Sequence, residues 1–144
     1  MFISQLAANA KGLNPLELFA ESVQENDTYI IDLNLSQLEV GKDSKDKSLF
    51  PYASDDYAKL KMSMGSMAPM GTPNLRFEGN FWEGFIVQSD IEGLTITSTD
   101  SKTEKLKSGY GDDIFGLSDN SLKDLKSVLL PTFLTKLRDE LLRK

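Results

Sequence analysis

The chain contains no cysteine and no histidine. Without cysteine there is no disulfide framework, no thiolate zinc site and no thiol nucleophile. Without histidine the commonest general base, the commonest transition-metal ligand and the usual proton switch near neutral pH are all missing. Any catalysis would fall to carboxylates, Lys, Tyr, Ser and Thr, so an enzyme is not expected. No stretch approaches the ~18 consecutive apolar residues that a membrane helix requires. The opening MFISQLAANAKGLNPLELF lacks the basic start and unbroken apolar stretch of an export signal. A soluble, intracellular product is expected. No long run of like charge marks a disordered tail, so the whole chain should fold.

What is present suits one domain spanning 1–144. Apolar residues make up 40% and charged residues 26% of 144 positions. A chain of that length buries ~68% of its unfolded surface around one core. The net charge of -6 is unevenly spread. Met1 to Leu122 carries 10 Lys/Arg against 19 Asp/Glu, and Lys123 to Lys144 carries 6 against 3. An acidic body repels phosphate, which argues against nucleic-acid binding through charge.

Asn14, Pro15 and Glu17 form an N-cap, first-position proline and capping-box pattern, with Leu13 and Leu18 at the staple positions. A helix should follow, with Leu16, Phe19 and Val23 on its apolar face and Glu17, Glu21 and Glu25 in water. Asp27 to Val40 is ambiguous. Tyr29, Ile31, Leu33 and Leu35 alternate like a strand, while Ile30, Leu33, Gln37 and Leu38 step like a helix; helix is the preferred reading. GKDSKDKS, from Gly41 to Ser48, reads as a surface loop. Ser54 to Lys61 reads as a short helix with acidic residues first and lysines last. MSMGSMAPMGTPN is broken by Gly65, Pro69, Gly71 and Pro73 and predicts a long central loop.

FWEGFIVQS and GLTITSTD then predict an antiparallel hairpin. STDSKTEKLKSGYGDD reads as a polar link. Ser118 should cap a final helix whose stripe is Leu122, Leu125, Leu129, Leu134, Leu137 and Leu141, with Pro131 imposing a kink or a junction of two abutting helices. The order of helices, hairpin and helix predicts an α+β fold.

Few constellations carry chemistry. Asp55 with Asp56, and Asp112 with Asp113, are paired carboxylates, but no spaced oxygen donors accompany them, and capping or loop charges are the better explanation. Neither metal nor cofactor is expected. GKDSKDKS lacks the Gly-Lys-Ser/Thr ending of a phosphate loop. Lys136, Arg138, Arg143 and Lys144 sit where a helix end favours cations, which explains them better than nucleic-acid contact does. Trp82 beside Phe81 and Phe85 reads as core before interface anchor. Met62, Met64, Met67 and Met70 are different. Four adaptable thioethers in a Gly/Pro-broken stretch suit packing against a neighbouring protein about as well as folding back on the chain's own core.

Three stretches carry a family resemblance. The first is IIDLNLSQLEVGKDSKDKSLFPYASDDYAKLK, through Gln37, Leu38, Gly41, Asp43, Leu49, Tyr52, Lys61 and Gly65. The second is LRFEGNFWEGFIV, through Leu75, Gly79, Phe81 and Phe85, with Glu78 where the pattern has threonine. The third is YGDDIFGLSDNSL, through Ile114, Gly116, Leu117 and Ser118. In order and spacing, Ile30 to Leu142 resembles the tail-completion or virion-morphogenesis proteins of tailed phages, notably the variant of phages with Bacteroides-type hosts. The resemblance implies a structural, non-catalytic protein, made in the host cytoplasm and placed at the head-tail junction of the virion. There it would form a homo-oligomeric ring with phage connector or tail proteins as neighbours, and DNA would only pass through the lumen. An acidic lumen would repel that DNA and let it slide. The competing reading is a small acidic phage product that binds a host protein; a carboxylate-dependent hydrolase is weaker.

If the methionine segment contacts a neighbour, Met64→Ser combined with Met67→Ser weakens assembly while the unfolding midpoint barely moves. Early unfolding, or assembly equal to the parent's, would place the interface elsewhere.

Overall fold

The computed structural model describes residues 2–49, 75, 80–90 and 93–144. The expected helix at Ser54 to Lys61, the central loop and all four clustered methionines lie outside the described residues.

Four elements follow from local sequence as expected. In α2 (Pro15–Glu25), the Asn14 side chain accepts a hydrogen bond from the Glu17 N–H at 3.3 Å, and Pro15 opens the first turn. In α6 (Asp119–Leu141), the Ser118 Oγ accepts from the Ser121 N–H at 3.3 Å. The hairpin is β1 (Phe85–Asp90) and β2 (Gly93–Ser98), paired antiparallel from Phe85↔Ser98 to Asp90↔Gly93. Phe85, Val87, Ile96 and Ser98 alternate inward, as the period of a half-buried strand requires. The ambiguous segment is helix α3 (Asp27–Glu39), with Ile30, Asn34, Gln37 and Leu38 buried. These elements give an α+β fold.

Several expectations are corrected. Phe81 and Trp82 belong to a single helical turn, α4 (Asn80–Glu83), and not to the strand. Gly84 ends that turn where the end of β2 presses closest: a Cβ there would lie 2.6 Å from the Ser98 Oγ and 3.0 Å from the Asp100 N. The Ser98 hydroxyl uses that closeness to donate to the Phe81 carbonyl at 2.8 Å. Much of the polar link is helix α5 (Thr103–Tyr110), whose half-buried Leu106 and Tyr110, one turn apart, pack against the core. The first residues form α1 (Phe2–Lys11), with only Asn9 buried.

On α2, Leu16 is exposed and Leu18 and Ser22 are buried beside Val23. Leu16 stands about 200° around the helix from Leu18, so the two cannot share a face.

The leucine stripe of α6 is likewise narrower than expected. Leu125 is buried, while Leu122 and Leu134 are 47% and 49% exposed. Leu134 lies about 2.5 turns beyond Leu125 and so points to the opposite side. Pro131 lies inside α6, which is one helical element and not two abutting ones.

The core gathers α2, α3, the hairpin and α6. Val23, Ile30, Leu38, Leu49, Phe81, Phe85, Val87, Ile96, Ile114 and Leu125 form one cluster. Phe81 and Phe85 of this cluster meet the half-buried Phe115 packed against it, all at centroid distances of 5.2 to 5.7 Å, in the edge and tilted geometries that aromatic quadrupoles prefer.

The two leucines make a paired test. Leu125→Ala should cost about 2–5 kcal/mol in chemical denaturation, as truncation of a buried leucine does. Leu134→Ala should stay within about 0.5 kcal/mol. Equal losses would contradict the assigned burial.

Candidate interaction surface

Two helices with capped N-termini set up the surface. α2 presents Phe19 and Val23, and α6 presents Leu122, Leu125, Leu129, Leu130 and Phe133. Val23 and Leu125 form the buried floor, and Leu122 and Leu130, at 47% and 45% exposure, form a rim. Leu94 of β2 closes one side. The resulting groove has a volume of about 420 Å³, and among its described lining residues only Lys126 is charged. Phe19 and Phe133 meet edge to face, with centroids 6.5 Å apart and planes at 75°. One turn beyond Phe133, Lys136 donates to Glu25 at 2.6 Å and lies 3.6 Å from Glu21, tying α2 to α6. The hydrogen bond to Glu25 raises the Lys136 ammonium above the ordinary lysine range.

The chemistry of this lining suits apolar side chains. Exposed leucines on a helix cost little one at a time, but a continuous apolar groove on a chain with 26% charged residues is the kind of patch that marks an interaction site. Only three leucines of the expected stripe line it, and their role differs from the expected one: Leu125 packs inward, Leu129 is half-buried and Leu122 forms part of the outer rim. Sequence periodicity could not separate them, because floor and rim share one apolar pattern.

The remaining predicted sites resolve structurally. Asp112 lies 3.8 Å from Lys107 and Asp113 lies 4.0 Å from Lys45, so the two aspartates face different lysines. Of the basic residues near the C-terminus, Lys136 is held by Glu25, Arg138 lies 3.6 Å from Asp139, and Arg143 lies 3.3 Å from Glu140. Surface pairs of this kind add little stability, yet they reduce the positive field that a phosphate backbone would meet. Trp82 is half-buried against the core. Met62, Met64, Met67 and Met70, with Asp55 and Asp56, lie outside the described residues. No described helix is long and apolar enough to cross a membrane.

Comparison with protein-family models, with curated proteins and with solved structures found no match.

A second feature lies behind the groove. Asn34, fully buried on α3, donates through Nδ2 to the Ile114 carbonyl at 3.0 Å and accepts through Oδ1 from the Gly116 N–H at 2.8 Å. Gln37 donates through Nε2 to the Gly116 carbonyl at 2.9 Å and accepts through Oε1 from the Ser118 N–H at 2.8 Å. Gly116 has φ +121°, and a Cβ there would lie 3.2 Å from the Ser44 Cβ. Both its conformation and its surroundings call for glycine. This clamp fixes where α6 begins.

Proposed function

We propose that this chain is a structural protein of a tailed phage, a neck or tail-completion component that forms a ring joining connector to tail. The observation that carries the reading is the apolar groove between α2 and α6, because a surface so poor in charge on an acidic chain suits contact with another protein. The clamp adds support. Gln37, Gly116 and Ser118, which carry the family resemblance in two stretches far apart in sequence, are bonded to one another through space. The acidic surface adds a physical role, since a ring multiplies its own negative potential and keeps DNA from sticking as it passes. In this reading the segment holding Met62, Met64, Met67 and Met70 contributes a further contact to a neighbouring neck protein.

The test is to delete the reading frame from the phage that encodes it and image the particles by electron microscopy. Filled heads and separate tails, unjoined at the neck, are expected, with joining restored when the protein is supplied in trans. Normally joined, infectious particles that lack the protein would overturn the assignment and favour a product acting on a host protein.

A further inference from the structure

Among the described residues, two apolar surfaces are left open. One is the groove. The other is α1, where no residue from Met1 to Ala10 carries a charged side chain. Phe2 and Ile3 are 67% and 78% exposed, and Leu6 is only half-buried. Among the described residues, Asn9 ties α1 to the end of α6: its Nδ2 donates to the carbonyls of Leu141 and Arg143 at 2.9 and 2.6 Å, and within α1 Gln5 donates to the Asn9 Oδ1 at 3.0 Å.

That anchor sits at the far end of α6. The nearest groove residue on α6, Phe133, precedes Leu141 by about 12 Å of helix, and no residue of α1 lines the groove. α1 therefore does not fill its own groove.

We propose that α1 of one copy docks into the α2–α6 groove of the next copy. The match is chemical. Ile3, Ala7 and Ala10 recur at the four- and three-residue steps by which a helix seats its anchors in a groove, with Phe2 and Leu6 beside them. Neither surface would have to bury a carboxylate, although the chain has 22 of them, and burying an unpaired charge is costly. A groove-to-groove contact would leave α1 uncovered. An arm-to-groove contact covers both surfaces and leaves the growing assembly with one arm free at one end and one groove free at the other, so it repeats, and it closes into a ring if the rotation between copies allows. The inference rests on the ring reading above and names the contact that would build the ring.

The experiment uses purified full-length chain. An arm variant (Phe2→Asp with Ile3→Asp) and a groove variant (Leu122→Asp with Leu130→Asp) should each lose the parent's assembly and run as monomers. Phe2 and Ile3 are largely exposed and Leu122 and Leu130 nearly half exposed, so folding should survive, and circular dichroism checks it. Mixed together, the intact arm of the groove variant meets the intact groove of the arm variant, and a species of twice the 16.0 kDa chain mass, and nothing larger, should appear. Because the chain has no cysteine, Ile3→Cys on one copy and Leu130→Cys on another should also form a disulfide between copies on oxidation. That result does not depend on the aspartate variants folding. A parent that stays monomeric at high concentration, an arm variant that assembles like the parent, or the absence of the mixed dimer and the cross-link would each overturn the proposal. The neck assignment is read separately: unjoined particles without the cross-link would keep the neck role and remove arm docking, and the cross-link with normally joined particles would do the reverse.

Discussion

Two side-chain amides, Asn34 and Gln37, set the geometry on which the rest of the described structure depends. They project from adjacent turns of α3 and take up four backbone groups of the segment from Ile114 to Ser118. Asn34 is completely buried and Gln37 is 8% exposed, so each of those groups has exchanged water for a protein partner. A buried backbone group left without one costs about 1–3 kcal/mol. The clamp places Ser118 as the cap of α6, directs Leu125 into the core and brings the face from Leu122 to Phe133 alongside α2. Groove and core are thus two sides of one constraint.

That constraint also explains why α3 was the hardest element to read. Its buried positions, Ile30, Asn34, Gln37 and Leu38, follow the steps of a helix face. Two of the four are polar, so a search for apolar periodicity sees half a stripe, while the half-buried Tyr29, Ile31, Leu33 and Leu35 supply a competing alternation. Elements whose signals are local were plain: the Asn14 and Ser118 caps and the inward alternation of the hairpin. Elements whose stability comes from elsewhere were not. α5 is mostly polar and touches the core through little more than Leu106 and Tyr110. α1 shows no core-facing stripe because almost none of it is buried. As for the candidate site, the leucine pattern on α6 was visible, but its division into floor and rim depends on where α2 lies, which no spacing within α6 reveals.

The functional reading follows from the same economy of charge. In the proposed ring, the net charge of -6 would keep the copies from binding nucleic acid, and the groove and α1 would be where that acidic surface is interrupted. Specificity in such a system comes from confining attraction to a few apolar patches within a repulsive field.

The clamp is most directly tested by Asn34→Leu, which keeps the branching of the side chain at Cγ, with bulkier methyl groups in place of the amide oxygen and nitrogen, and removes both hydrogen bonds. Equilibrium denaturation of this variant should show a loss of at least about 2 kcal/mol, because the carbonyl of buried Ile114 and the N–H of half-buried Gly116 both lose their partner. Hydrogen exchange should show the first turn of α6 losing protection before the hairpin does. A variant as stable as the parent, with α6 equally protected, would contradict the account.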